Sequence, residues 1–474
     1  MKIQQIYTGC LAQGAYYIES NGEAAIIDPL REVQPYIDLA HSRNTKIKYI
    51  FETHFHADFV SGHIDLAKKT GADIIYGPTQ MKTGFDCIIG KDNQLFKLGD
   101  ASIRLIHTPG HTMESSCFLL MDEKGKETAI FTGDTLFIGD VGRPDLAQHV
   151  VTHLTQEKLA GYLYDSLREK IIPLNNDIIV YPAHGAGSAC GKNLSKETSD
   201  TLGNQKKTNA ALRSGLSKED FIKELLTGLM PPPGYFPKNV MMNINGYDSI
   251  DEVLKRGNKA LSVHKFETVA NETKALILDT RKPKDFSKGF IPNSINIGID
   301  GSFAVWVGTL INDLKQPILL ITDKGKEQEV ITRLARVGYD YTIGYLEGGF
   351  PAWKDAGMQI DTIKTVTAAE FATEEKNNPK INILDVRKNS EFLSEHVENA
   401  INAPLDYINE SMKLIDKNKT YYVHCAAGYR SMIFSSILRA RGYNNLIDVD
   451  GGFNAIKYSG KFKITDYVCP TTLL

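Results

Sequence analysis

The sequence is short of several things, and each shortage removes a class of protein. Only six of its 474 residues are cysteine, scattered with no CxxC pair and no even framework, which excludes a disulfide-stapled scaffold and suits a reducing compartment. No apolar run reaches the length of a membrane span, and Met1 to Tyr7 enter a strand pattern without the apolar core of a signal peptide. The expectation is a cytoplasmic protein with no membrane partner. Charge of one sign is missing too: 54 Lys and Arg stand against 57 Asp and Glu, so nothing favours a nucleic-acid partner. With 42% hydrophobic and 23% charged residues the chain carries no sign of wholesale disorder, and its length allows roughly two to four globular domains.

What is present is metal chemistry at the ends of strands. Thr53-His54-Phe55-His56-Ala57-Asp58-Phe59 packs two imidazoles and a carboxylate directly behind the apolar run Ile47 to Phe51, which reads as a buried strand. Three later segments each follow an apolar stretch, carry Pro or Gly, and offer one further ligand-type side chain. They are Thr108-Pro109-Gly110-His111-Thr112, Phe131-Thr132-Gly133-Asp134-Thr135 and Tyr181-Pro182-Ala183-His184-Gly185. A lone histidine is ordinarily a hydrogen-bonded structural residue; four ordered segments with matching turn chemistry point to a bound metal.

Together these segments resemble the metallo-β-lactamase superfamily. In that pattern a His usually follows the Asp and helps to hold a second ion, whereas this chain has Phe59, which ligates nothing. What remains, His54, His111 and Asp134, is a two-histidine, one-carboxylate set of the kind that leaves positions open on ferrous iron. The set is similar to that of the persulfide dioxygenases. That resemblance implies one Fe(II) per chain on His54, His111 and Asp134, with His56, Asp58 and His184 orienting these ligands. It also makes Arg143, in Gly139-Asp140-Val141-Gly142-Arg143-Pro144-Asp145, a candidate for gripping an anionic group of the substrate; a salt bridge to Asp140 or Asp145 is the competing expectation. Cys190, in the small-residue loop after His184, is a candidate for handling sulfur or simply a small apolar filler.

Between 196 and 230 polar and apolar residues alternate at helical spacing, with Phe221, Ile222, Leu225, Leu226 and Leu229 on one face, and Pro231-Pro232-Pro233-Gly234 is expected to stop the helix. Tyr235-Phe236-Pro237 matches a segment that closes the catalytic domain in the resembling family.

Beyond about residue 255 the chain repeats itself. Leu278-Asp279-Thr280-Arg281 returns as Leu384-Asp385-Val386-Arg387, Ile295-Asn296 as Ile401-Asn402, and Gly348-Gly349-Phe350 as Gly451-Gly452-Phe453. These blocks resemble rhodanese domains. In the second copy the strand Tyr421 to His424 runs into Cys425-Ala426-Ala427-Gly428-Tyr429-Arg430, whose backbone amides can converge on the sulfur at the positive end of a helix and favour the thiolate. Arg430 closes the loop and can hold an anionic sulfur donor. Cysteine phosphatases carry a loop one residue longer, so the shorter cradle suits a persulfide. The first copy has Asp323 where the nucleophile belongs, and Lys324 and Lys326 read as a solvated loop.

The expected fold class is α/β: an αββα metallo-β-lactamase sandwich over 1–245, followed by two tandem α/β rhodanese domains, an inactive one over 255–360 and an active one over 361–474. The whole is similar to persulfide dioxygenase/rhodanese fusions. That resemblance implies a small-molecule persulfide of glutathione, coenzyme A or a similar thiol as substrate, O2 as co-substrate, sulfite and thiosulfate as products, Cys425 and Arg430 as the sulfur-transfer residues, and a homo-oligomer. A thioester hydrolase of the glyoxalase II type and a non-enzymatic sulfur relay or sensor are the rival expectations.

Overall fold

The structure, a computed structural model, describes residues 1–146, 154–229, 231–378 and 380–469. The chain divides into two compact units, one comprising Met1–Glu252 and Thr332–Gly338 and the other Val253–Ile331 and Tyr339–Leu474.

In the first unit two six-stranded sheets lie face to face. One runs, in spatial order, Lys2–Thr8, Gln13–Ser20, Glu23–Ile27, Lys46–Phe51, Asp73–Tyr76 and Ile88–Ile89; the other runs Asp200–Thr201, Ile179–Pro182, Glu127–Gly133, Ser116–Met121, Ala101–His107 and Leu95–Leu98. Gln13–Ser20 and Ser116–Met121 are buried along their whole length because each is covered on both faces. Aromatic rings fill the space between the sheets: Phe51 meets Phe118 at 4.6 Å and Tyr16 meets Phe131 at 4.9 Å. Each such side chain, fully buried, contributes about 1.5–3 kcal/mol. On the far face of the second sheet, Leu163 and Leu167 with Phe221 and Leu225 pack on Ile106, Leu119, Ile130 and Val180. Helices outside two stacked sheets make the expected αββα sandwich.

The helical reading of 196–230 needs correction. Leu202–Thr208 and Lys218–Leu226 are separate helices, parted by a short 3-10 turn at Ala210–Leu212 and by Gly215 in a left-handed conformation at φ +77°. Ser217 caps the second of them by accepting from Asp220 N–H at 3.0 Å, so the apolar stripe begins at Phe221, and the helix ends before the proline run. Tyr235-Phe236-Pro237 opens the helix Phe236–Asn245, with Pro near its first turn.

The second unit holds two five-stranded parallel sheets of the same topology. Their orders are Ala260–Leu261, Thr342–Leu346, Ile318–Ile321, Leu276–Asp279, Ile295–Asn296 and Thr365–Val366, Leu446–Val449, Tyr421–His424, Asn382–Asp385, Ile401–Asn402. The repeated sequence blocks find a physical reason here. Arg281 forks onto Asp279 while lying over the Phe350 ring at 4.2 Å, and Arg387 forks onto Asp385 while lying over the Phe453 ring at 4.0 Å. Asn296 and Asn402 each donate to two carbonyls around that arginine. Among the described residues no helix is long and apolar enough to cross a membrane.

Candidate metal centre and sulfur-transfer loop

Four loops meet at one edge of the sandwich, one fed by Lys46–Phe51 of the first sheet and three by Ala101–His107, Glu127–Gly133 and Ile179–Pro182 of the second. Backbone ties fix the first: Ser116 N–H reaches Thr53 O at 2.9 Å, and Phe55 N–H donates to Glu114 Oε1 at 2.9 Å. From the helix Phe236–Asn245, the buried Asn243 side chain donates to the carbonyls of His56 and Phe59, at 2.8 and 2.9 Å, and accepts from Ser61 N–H. The loop that carries the histidines is therefore held from both sides.

His54, His111 and Asp134 come together, all buried, with one potential ligand atom each lying within 4.8 Å of the others. His111 Nε2 stands 3.4 Å and His54 Nε2 3.9 Å from Asp134 Oδ2. Thr53 Oγ1 donates to Asp28 Oδ2 at 2.8 Å, so toward His54 it offers a lone pair, which accepts from Nδ1–H at 3.0 Å. His111 Nδ1 donates to the Arg143 carbonyl at 2.7 Å. Both rings are thereby fixed as the tautomer whose Nε2 carries a lone pair toward Asp134. Burial, and then His56 beside it, hold the His54 pKa well below the ordinary histidine value, which keeps the ring neutral.

Asp134 shows the complementary asymmetry. Its Oδ1 accepts from His184 Nδ1 at 2.8 Å, while its Oδ2 is buried with no hydrogen-bond partner. Burial alone acts to raise the Asp134 pKa, but His184 and His111 hold it well below the usual carboxylate range. A buried, ionised and unpaired oxygen facing two imidazole lone pairs is costly without a cation between them, so the donor set fits a divalent metal.

The other metal-site candidates fall into two groups around this triad. His184 bridges Asp134 and Asp58, donating from Nε2 to Asp58 Oδ2 at 2.9 Å; burial opposes its charge, but the two carboxylates raise its pKa well above the ordinary value. Cys190 is buried beside Asp58 and His184, and burial, with Asp58 and Asp134 near, raises its thiol pKa. The His56 ring lies 4.1 Å from that of His54, but its Nε2 points to acids, 3.1 Å from Asp28 Oδ1 and 3.6 Å from Glu52 Oε2, and the tilted Phe59 ring covers it at 4.4 Å. Arg143 is buried and forks onto Asp145 with two contacts of 2.6 Å, the salt bridge foreseen as one of its two readings. Gly142 beside it is required by space, since a Cβ there would lie 2.1 Å from the Asp134 carbonyl and 2.9 Å from His111 Nδ1.

In the second five-stranded sheet, Cys425 follows the strand Tyr421–His424 and is buried; Gly428 N–H donates to its Sγ at 3.1 Å from just ahead of the helix Tyr429–Ala440. The repeated Gly-Gly-Phe segment supports this loop. Phe453 N–H donates to the Cys425 carbonyl at 2.7 Å and Asn454 N–H to Ala426 O at 3.0 Å, and Gly452, at φ +57°, approaches so closely that a Cβ would lie 2.5 Å from the Cys425 carbonyl. Arg430 reaches back to Glu391, with Nη1 to Oε2 at 2.6 Å and Nη2 to Oε1 at 2.9 Å. Tyr429 donates from its hydroxyl to the Gly298 carbonyl of the first repeat at 2.7 Å. The expectation for the first repeat needs correction: the strand register sets Thr322, not Asp323, where Cys425 stands in the second, with Gly349 approaching the Thr322 carbonyl as Gly452 approaches that of Cys425, and Asp323 beside it is exposed.

Glu391, Asp28 and Thr53 were not singled out from sequence. Glu391 lies 39 positions from the arginine it binds and Asp28 lies 25 from Thr53, distances at which no local pattern carries a signal. Thr53 was visible only as the neighbour of His54.

Comparison with known proteins agrees with this geometry. The Metallo-beta-lactamase superfamily model matches residues 8–184, and the Rhodanese-like domain model matches 262–356 and again 367–459. A crystal structure of a metallo-beta-lactamase from Staphylococcus aureus subsp. aureus COL is 31% identical with TM-score 0.63, the match covering 73% of this chain and 98% of that one. A crystal structure of ETHE1 from Myxococcus xanthus is 25% identical with TM-score 0.44, covering 51% of this chain and 98% of that one. A probable hydroxyacylglutathione hydrolase of Schizosaccharomyces pombe is 30% identical over 35% of this chain and 60% of its own length. The chain spans 60% and 56% of the length of the first curated relatives it matches. Fold, buried His and Asp cluster and repeated five-stranded module lead to one assignment: the chain belongs to the metallo-β-lactamase superfamily and carries two tandem rhodanese-like domains behind that fold.

Proposed function

We propose that this protein oxidises a low-molecular-weight thiol persulfide to sulfite with O2 and passes sulfane sulfur through Cys425 to give thiosulfate. The oxidation balances as R–S–SH + O2 + H2O giving R–SH, sulfite and two protons. Its seat is the domain at 1–245, with 255–360 as an inactive rhodanese and 361–474 as the active one. The observation that carries the reading is the pair of Nε2 lone pairs converging on the bare Oδ2 of Asp134, in the same chain as a complete Cys425 loop.

His54, His111 and Asp134 would hold a single ferrous ion, which would supply the electrons that activate O2. The protein's own groups orient that donor set. Thr53 with Asp28 fixes His54, the Arg143 carbonyl fixes His111, and His184 holds Asp134 while Asp58 holds His184. Phe59 removes one ligand of a two-metal site, and the ligand-type groups next to the triad, Asp58 and His184, are hydrogen-bonded to each other and to Asp134. Arg143, committed to Asp145, acts through its carbonyl and not as a substrate grip.

In the sulfur-transfer loop the Cys425 thiolate attacks the outer sulfur of a persulfide. The S–S bond breaks and the carrier thiolate leaves with the electron pair. Sulfite then attacks the outer sulfur of the Cys425 persulfide, forming thiosulfate and returning the thiolate. Gly428 N–H stabilises the anionic sulfur at each stage.

A second reading, thioester hydrolysis on two metal ions, draws on the hydroxyacylglutathione hydrolase names of several relatives. One experiment separates the two. Protein purified without oxygen is assayed for iron and zinc, then given glutathione persulfide, coenzyme A persulfide and a glutathione thioester. About one iron with rapid O2 uptake supports the dioxygenase; two zinc ions with thioester cleavage and no uptake replaces it. Cys425→Ser is expected to keep O2 uptake and release sulfite without thiosulfate.

A further inference from the structure

Arg430 is the natural receiver for an anion arriving at Cys425, yet both of its terminal nitrogens are engaged by Glu391 in a two-point fork of 2.6 and 2.9 Å. Glu391 is itself fixed in the helix Asn389–Ser394, where its Oε2 also accepts from Lys388 N–H at 3.2 Å. The pair sits at the mouth of the site, with side chains 16% and 35% exposed. The first repeat offers a comparison: the strand register sets Ile321 where His424 stands and so Glu327 where Arg430 stands, and the acid aligned with Glu391 is Asp285, which pairs with Lys288 at 3.4 Å. The carboxylate–arginine couple therefore goes with the live cysteine loop.

We propose that Glu391 determines which sulfur species the Cys425 loop retains: by occupying the Arg430 fork it makes the loop a weak holder of thiosulfate and sulfite, so that thiosulfate leaves as product. The inference rests on the reading of Cys425 as the sulfur-transfer residue. A dianion with three equatorial oxygens gains most from a guanidinium fork, and to obtain it must displace a well-placed carboxylate of the same sign. A thiol persulfide presents a single outer sulfur to Cys425, with no oxygens for a fork to hold. When thiosulfate is the donor, the Cys425 thiolate attacks its outer sulfur, the S–S bond breaks, and the electron pair leaves on sulfite. Glu391 does not shift the equilibrium of that exchange; it sets how tightly the anions are held on either side of it.

The test uses the full chain with its metal. Thiosulfate serves as donor and glutathione as acceptor, with Glu391→Gln, Glu391→Ala and the charge-keeping Glu391→Asp beside the wild type. Removing the carboxylate is expected to lower the KM for thiosulfate at least about ten-fold, the scale of one charge-assisted hydrogen bond. Thiosulfate should then inhibit persulfide turnover at correspondingly lower concentration, while Glu391→Asp stays near the wild type. If Glu391 merely props the loop, its loss leaves the KM for thiosulfate unchanged or raises it, and that result overturns the proposal while leaving sulfur transfer from glutathione persulfide measurable. Absence of transfer from either donor in the wild type, with no added sulfur on Cys425 by mass spectrometry, overturns the underlying reading of the loop together with this one.

Discussion

Replacing Thr53 by the near-isosteric Val isolates the link between a buried carboxylate and a metal ligand. The hydroxyl makes two contacts at once, donating to Asp28 Oδ2 at 2.8 Å and accepting from His54 Nδ1 at 3.0 Å. Thr53→Val removes both but keeps Thr53 N–H on Asp28 Oδ1 at 2.8 Å, so the carboxylate is not stripped. Losing one hydrogen bond to a charged group predicts a fall of about 1.5–3 kcal/mol in the stability of the metal-free protein. The second contact matters for the metal. Without an acceptor at Nδ1 the imidazole is free to place its proton on Nε2, the atom that faces Asp134, and the ring loses its orientation. Loss of such a supporting contact typically weakens metal binding about 10–100-fold. The assay is iron retention against a graded chelator, run beside urea denaturation of the metal-free protein, with O2 uptake measured at saturating iron. The expected pattern is weaker retention with activity largely recovered when iron is in excess. Iron retention within about two-fold of the wild type, alongside the expected destabilisation, would refute the reasoning and reduce Thr53 to a structural tie.

Gly301→Ala places a Cβ 2.3 Å from the Tyr429 ring and should displace its hydroxyl from the Gly298 carbonyl; sulfur transfer by Cys425 is expected to slow while O2 uptake is untouched, and equal loss of both activities would contradict this. Asp448 is buried, and burial raises its pKa from 3.8 to about 7. Because the folded state holds this proton more tightly than the unfolded chain, stability from this group is full below about pH 4 and falls as pH rises through about 7, by up to about 4 kcal/mol. Asp448→Asn is therefore expected to raise the urea midpoint at pH 8 and to change it little at pH 4, and the opposite order would overturn the assignment.

How much of this was legible in the chain follows from where each interaction acts. The ligand loops were readable because each is local: an apolar strand, a Pro or Gly turn, and a His or Asp within a few positions. Stacking of the two sheets then brings His54 from one of them and His111, Asp134 and His184 from the other to one place. The repeats were readable for a similar reason, since Asp385, Arg387 and Phe453 form a small stacked unit that the sequence has to state in full each time it is used. The stretch at 196–230 misled because periodicity records which residues face a core and not where the backbone turns; Gly215 breaks the helix while leaving the Phe221 and Leu225 stripe intact. Arg143 stayed ambiguous until the fold brought Asp145 onto its fork and left its carbonyl for His111.

The groups that escaped notice share one property: they act on a functional residue from a different element. Asp28 follows the neighbouring strand Glu23–Ile27, and Glu391 belongs to the helix Asn389–Ser394, 39 positions from Arg430 in the helix Tyr429–Ala440. Such residues carry no motif because their chemistry is ordinary, a carboxylate accepting hydrogen bonds, and only position makes it consequential. In the His and Asp cluster an atom is left bare because its neighbour has been taken: Asp134 Oδ2 because His184 takes Oδ1, and His54 Nε2 because Thr53 takes Nδ1; at the cysteine loop the opposite holds, since both terminal nitrogens of Arg430 are already paired with Glu391. The ligand residues state which chemistry is possible, and these partners decide which atom performs it.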